Sequence, residues 1–371
     1  MAYSKFHLVS NDSKKLNKIV NSPEFYVLKV KYILLFFLYL PKILFDSTDM
    51  PPASMFITNN LKRKRIRNSL LFSSGPAYRV YKFIMKLKCQ ALYFHLDKHF
   101  SENSYESAYI WNGALFPQSL VSHLSKKYEI KMLYFENGHF PLTIQADTNG
   151  INYYSSLTQE QSFYRNLSFV DSELLPEDIG IRANKVKYSL KTSLPQKYLF
   201  VPFQVPSDMQ ILDLSPWIKD MTDFYNILYE ATQHLSGITF VIKEHPSFRI
   251  SIKNTVRKTP KIIFANGSET KELIKSAQAV VTINSTVGVE ALLLEKKVLT
   301  LGEALYNIQD LVLHASNFEE FVDNLKKIDT WSFDEKLRVH FLKFLYNRYL
   351  IKGDYSNPSK KCLENIHGKL I

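Results

Sequence analysis

Four short polar motifs each follow an apolar run: Phe135-Glu136-Asn137-Gly138, Phe203-Gln204-Val205-Pro206-Ser207-Asp208, Lys243-Glu244-His245-Pro246 and Asn284-Ser285-Thr286. Together they offer carboxylates, an imidazole beside an ammonium, and hydroxyls ahead of a helical stretch. Such a set can hold a sugar joined to a phosphate and pass the sugar to an alcohol. Glu136 can take the proton of an attacking hydroxyl or protonate a leaving group. Asp208, in the first turn of a helix, is kept ionised by exposed N–H groups. There it can stabilise or trap an oxocarbenium ion. Lys243 and His245 alternate with Glu244, so in extended backbone both project to one side and can donate to a phosphate oxygen. Asn284, Ser285 and Thr286, followed by Gly288, form a strand-to-helix turn of the kind that receives anions. Glu290, just beyond, can accept two hydrogen bonds from ribose hydroxyls. Asp147, Gly150 and Asn152 lie in a polar loop able to line the same cleft as Glu136.

Each motif also has a plainer explanation. Asn137-Gly138 is a hairpin dipeptide. Ser207 with Gln210 is a capping box. Ser285-Thr286 is an ordinary N-cap, and Glu290 a solvated helix residue. A lone histidine is more often structural, but His245 stands beside Lys243 and Glu244 with Pro246 stiffening the turn.

The elements that must position these residues alternate between strand and helix. Ala91–Phe94, Ala108–Trp111 and Lys131–Phe135 read as buried strands, with a helix over Ser119–Tyr128. The alternation restarts with strands at Tyr198–Pro202, Thr239–Lys243, Lys261–Phe264, Ala279–Ile283 and Lys297–Leu301. Helices are expected at Asp220–Leu235, Thr270–Ser276 and Val287–Leu294, and from Asn317 to about Leu350. Such alternation predicts parallel sheets with helices on both faces. Ligands then bind beyond the carboxyl ends of the strands, where all four motifs fall. The expected organisation is α/β: a helical basic region over 1–75, a Rossmann-like domain over 76–195, a second over 196–335, and a helical segment over 336–371. The join between domains is expected in the polar stretch 155–195.

The chain has 371 residues, 46% of them hydrophobic, and a formal charge of +12. That length favours two domains over one core. The basic balance fits nucleic acid, anionic lipid or an anionic substrate; an AT-rich coding bias toward Lys, Asn, Ile, Phe and Tyr explains it equally. Cys89 and Cys362 form no CxxC and no disulfide framework, which points to a reducing cytoplasm. No Asp-x-Asp occurs, which disfavours a metal-bridged sugar diphosphate; dinucleotide and Walker motifs are absent too. The apolar run Tyr32–Leu40, extended to Phe45, is too short to span a bilayer and is broken by Pro41. Lys29, Lys31 and Lys42 flank it, and Lys62-Arg63-Lys64-Arg65 and Arg67 follow. The run fits a helix lying on an anionic inner leaflet, or a buried helix beside a solvated basic turn. The basic stretch carries no RNA-binding signature.

In the order Glu-x-Gly, Gln-Val-x-x-Asp, Lys-Glu-His-Pro and Asn-Ser-Thr-x-Gly-x-Glu-Ala, residues 130–310 resemble the capsule polysaccharide synthesis family of bacterial glycosyltransferases. That family includes transferases that use CMP-Kdo to build β-Kdo linkages. Ser13–Phe25 weakly resembles a leader found near capsule transferase modules. The resemblance implies a GT-B fold, with two Rossmann-like domains, an interdomain cleft and C-terminal helices. It implies CMP in the second domain, with His245 and Lys243 at the phosphate. Gln204, Pro246, Asn284, Ser285, Thr286 and Gly288 join them on the donor side, and Glu290 at the ribose. Asp208 takes the place of a nucleophile in a retaining double displacement. Glu136 takes the acceptor side, with Asn137, Gly138, Asp147 and Asn152. The implied partners are CMP-Kdo or a related CMP-sugar, a saccharide or lipid-linked acceptor, and anionic inner-leaflet lipid. No metal, cofactor or nucleic acid is expected, and the expected place is the cytoplasm, peripheral on the inner membrane. Two alternatives stand beside this reading: an inverting CMP-sialyltransferase with Glu136 as base, and a non-catalytic module that binds nucleic acid or membrane.

Overall fold

The computed structural model describes residues 3–45, 50–177, 193–248 and 250–370. Residues 178–192, part of the expected join, lie outside them. The chain divides into two compact units. The first takes Met1–Gly138, Leu142–Ser156 and Leu350–Ile371; the second takes His139–Pro141 and Leu157–Tyr349.

The strands, in chain order, are β1 (Lys5–Val9), β2 (Phe25–Lys29), β3 (Ser107–Trp111), β4 (Lys131–Asn137), β5 (Thr143–Asp147), β6 (Leu199–Pro202), β7 (Phe240–Lys243), β8 (Ile262–Phe264), β9 (Ala279–Thr282), β10 (Lys297–Thr300), β11 (Leu313–His314) and β12 (Ile351–Lys352). In the first unit the sheet runs β12-β5-β4-β3-β1-β2. Its strands are parallel except at β5 and β12, which pair antiparallel. The second sheet runs β11-β10-β9-β6-β7-β8 and is parallel throughout. Renumbered from its own first strand, that is the dinucleotide-fold order 3-2-1-4-5-6, with the order reversing between β6 and β9.

Both faces of these sheets are covered, as parallel sheets require. Leu199 and Val201 on one face of β6, and Phe200 on the other, are all buried. Large aromatics close the cores: Tyr109 and Phe135 in the first unit, Phe224, Phe240 and Phe321 in the second. Each such ring contributes roughly 2–3 kcal/mol by leaving water.

Several expectations need correction. Ala91–Phe94 is no strand; it lies within the helix Pro76–Glu102. All four residues are buried there, so no alternation distinguishes helix from strand. Residues 1–75 are not a separate helical region, since β1 and β2 belong to the first sheet. The second unit takes His139–Pro141, starts its continuous run at Leu157, well before 196, and holds the helix Glu335–Phe344. Beyond it, β12 and the helix Lys360–His367 return to the first unit. Pro41 does not break its helix, which runs Tyr32–Phe45; the proline is on the exposed side.

Candidate functional site

In the second unit, three strand exits are tied into one rim. β6 stops at Pro202, and Phe203 donates its N–H to the Lys243 carbonyl at the end of β7 (2.9 Å). On the other side of β6, Gln204 Nε2 donates to Asn284 Oδ1 (2.9 Å), and the Asn284 N–H donates back to Gln204 Oε1 (3.3 Å). Asn284 Nδ2 also donates to the carbonyls of Gln210 and Leu214, each at 2.9 Å. Asn284 is 2% exposed. Its task is to hold the β6 exit against the β9 exit, at the point where the strand order reverses.

Asp208 itself is the N-cap of the short helix Met209–Leu212; its Oδ1 accepts from the Gln210 N–H (3.0 Å). This corrects the capping box on Ser207, which is buried. Asp208 is exposed.

Within Lys243-Glu244-His245-Pro246 the labour is divided. Lys243 is buried, and its Nζ donates to the Ser268 carbonyl (2.7 Å) and Thr270 Oγ1 (2.9 Å). The expected pair of surface donors is therefore corrected: Lys243 braces the loop before the helix Thr270–Ser276. Burial lowers its pKa, against an opposing pull from Glu269. Glu244 accepts from the Ile252 N–H (2.8 Å), the Ser251 hydroxyl (2.6 Å) and Asn266 Nδ2 (2.6 Å). Its own N–H donates to Asn266 Oδ1 (2.9 Å). These anchors leave His245 exposed with Pro246. Its Nδ1 accepts from the Ser247 N–H (3.2 Å), so the neutral ring carries its proton on Nε2.

At the β9 exit, Ser285 and Thr286 are part-exposed. Ser285 Oγ accepts from the Val287 N–H (3.2 Å), and Thr286 makes no side-chain cap. Ser285 keeps its own hydroxyl proton for an acceptor. Gly288 is needed for space: a Cβ there would overlap the Tyr306 hydroxyl, which donates to the Ser285 carbonyl (2.5 Å). Burial raises the Tyr306 pKa, so it stays a neutral donor. Glu290 is buried rather than solvated.

In the first unit, Glu136 is the penultimate residue of β4. Its Oε2 accepts from Asn112 Nδ2 (2.9 Å), and its Oε1 from the N–H and Nδ2 of Asn137 (2.9 Å each). Asn112 sits at φ +60° just after β3. Lys15 Nζ donates to Asn137 Oδ1 (2.8 Å) and lies 5.0 Å above the Trp111 ring. Lys15 comes from Ser13–Phe25, the stretch with the leader-like pattern. Asn137-Gly138 is not a two-residue hairpin turn, because β4 runs through Asn137 and β5 begins at Thr143. Gly138 is there because a Cβ would overlap Thr143 Oγ1.

Asp147 is also corrected. It is buried, and its carboxylate accepts from the N–H groups of Asn149 (2.8 Å), Gly150 (3.4 Å) and Ser156 (2.9 Å) and from the Ser156 hydroxyl (2.6 Å). It shapes the loop. Asn152, at φ +53°, donates its N–H to Gln145 Oε1 (3.2 Å).

Sequence reasoning missed Asn112, Lys15, Asn266 and Tyr306. Each reaches its partner over 21 or more residues of sequence, a pairing that no local spacing reveals.

Two Rossmann-like units in one chain are the architecture of the GT-B class. The sequence profile of the family described as "Capsule polysaccharide biosynthesis protein" matches residues 174–349. Protein FixF of Sinorhizobium fredii (strain NBRC 101917 / NGR234) is 40% identical, over 83% of this chain and 76% of that protein. The chain belongs to the capsule polysaccharide biosynthesis family. The capsule polysaccharide export protein KpsS of Escherichia coli is 28% identical over 50% of this chain and 64% of its own length. Among solved structures, the beta Kdo 2,4 transferase of Thermosulfurimonas dismutans KpsC is similar with a TM-score of 0.46 at 14% identity, covering 73% of this chain and 92% of that one.

Proposed function

We propose that the protein is a glycosyltransferase that moves Kdo, or a related acidic sugar, from CMP to a saccharide or lipid-linked acceptor in capsule or lipopolysaccharide synthesis. The observation that carries the reading is the hydrogen-bonded rim joining the exits of β6, β7 and β9 at the strand-order reversal. It gathers an imidazole N–H donor, two hydroxyls and a carboxylate on adjacent strands. Fixed donors of this kind stabilise a departing phosphate without reorganising at the moment of reaction.

In this reading His245 Nε2–H and the hydroxyls of Ser285 and Thr286 donate to the CMP phosphate. Lys243 braces the loop before the helix Thr270–Ser276, and Glu290 holds the ribose. Asp208 attacks the anomeric carbon through the oxygen not used in the cap. The bond from that carbon to the phosphate oxygen breaks, and CMP leaves with the electron pair. An acceptor hydroxyl then displaces Asp208, giving up its proton to Glu136. Two displacements retain configuration and give a β-linkage. No step calls for a metal. The protein works in the cytoplasm against the inner membrane.

The test is incubation with CMP-Kdo, reading CMP release and the mass of the protein. A sugar adduct on Asp208, enriched in a Glu136→Gln variant, is expected. CMP release with an inverted product by NMR and no adduct would replace the double displacement with direct attack assisted by Glu136. No CMP release would overturn the donor assignment.

A further inference from the structure

The helix Tyr32–Phe45 is apolar on two opposite sides. Leu35, Tyr39 and Ile43 are buried against the first unit. Ile33, Leu34, Phe37, Leu38, Leu44 and Phe45 stand in solvent, between 62% and 87% exposed. At about 100° per residue these six fall within one face of about 140°. A globular protein rarely leaves so large a contiguous apolar face uncovered.

A second helix continues the surface. Lys88 lies 5.3 Å from the Tyr32 ring, and His95 Nδ1 lies 3.4 Å from the Tyr39 hydroxyl, so the later turns of Pro76–Glu102 receive the first helix. Val80 and Ile84 precede Lys88 at four-residue steps, on the same stripe. With Phe83 they are exposed. Arg79, Lys82 and Lys86 run alongside.

The charge says what covers this face. From Phe25 to Leu96 the sequence has twelve Lys or Arg and only two acidic residues, Asp46 and Asp49. Coding bias would spread lysine along the chain; here most of the net charge sits in one stretch of sequence, the one that also bears these exposed apolar side chains. No helix among the described residues is long and apolar enough to cross a membrane. An exposed apolar face carried by the most basic stretch of a chain is the pattern that inserts shallowly among anionic headgroups.

We infer that the exposed face of Tyr32–Phe45, continued by Val80, Phe83 and Ile84, is a bilayer-docking surface for anionic phospholipid. This deepens the membrane placement proposed above by naming the surface and its ligand.

The test is flotation of the full chain with vesicles of phosphatidylglycerol and phosphatidylcholine, or of phosphatidylcholine alone, without nucleotide. Binding to the anionic vesicles is expected, weakening as salt rises. Phe37→Glu with Leu38→Glu should weaken it roughly tenfold or more, and Lys82→Glu with Lys86→Glu roughly tenfold. Both variants should keep the parent melting temperature and CMP affinity. Absence of vesicle binding, or binding that survives Phe37→Glu with Leu38→Glu, overturns the inference. So does a dimer of the parent chain that this variant converts to monomer, since a second copy then covers the face. Because CMP binding is measured separately, failure here leaves the donor assignment standing, and failure of CMP binding leaves the docking surface standing.

Discussion

At the scale of the residue, Asp208 has two jobs that one substitution separates. Asparagine caps a helix as well as aspartate does but cannot serve as the nucleophile. Asp208→Asn should therefore keep the melting temperature while kcat falls on the order of a thousandfold or more, measured by CMP release. An unchanged kcat would mean that Asp208 is a cap and nothing more. Asn284 is the reverse case. Asn284→Ala strands the Gln204 amide and two carbonyls in a buried rim, costing about 3 kcal/mol in urea unfolding. The sequence exposes His245 through its neighbours, because Lys-Glu-His-Pro after a strand is local. It conceals that Lys243 and Glu244 are the imidazole's supports, because Ser268, Thr270 and Asn266 lie more than 20 residues away.

At the scale of the element, close approaches decide which residues are tolerated. Gly138→Ala puts a methyl group into Thr143, 2.8 Å from its carbonyl carbon, and should destabilise the β4–β5 connection by roughly 1–3 kcal/mol. Thermal denaturation checks this. Strand β1 carries a pH dependence. His7 is buried, with Nδ1 2.8 Å from the Tyr109 carbonyl, and desolvation lowers its pKa from 6.5 to about 4. The folded state therefore holds fewer protons than the unfolded chain between those values. Its contribution is complete above pH 6.5 and is lost as pH falls toward 4, amounting to about 3 kcal/mol. Melting temperature followed from pH 7 to 4 should fall less steeply in His7→Asn, whose amide can still donate to Tyr109. The second sheet was legible because its strands are short apolar runs bounded by helical periods. β1 and β2 were not: five residues each, among basic and helical stretches, they gain strand character only by pairing with each other and with β3. Ala91–Phe94 misled for the opposite reason, since a helix turn buried on every side has lost its period.

At the scale of the whole molecule, two units were expected and two are present, but the chain crosses between them more often than a linear reading allows. β12 returns to the first sheet and the helix Lys360–His367 to the first unit, and a two-residue antiparallel pairing gives no sequence signal of that return. The net charge, ambiguous as a total, becomes informative once most of its bearers are found in the stretch that exposes apolar side chains. The donor remains the central claim, and nucleotide-induced thermal stabilisation tests it most directly. With CMP, UMP, GDP and UDP supplied in turn without magnesium, CMP should raise the melting temperature most; saturation near a hundred times Kd corresponds to about 2.7 kcal/mol. His245→Ala should shrink that shift. A larger rise with UDP or GDP, or none with CMP, would contradict the account.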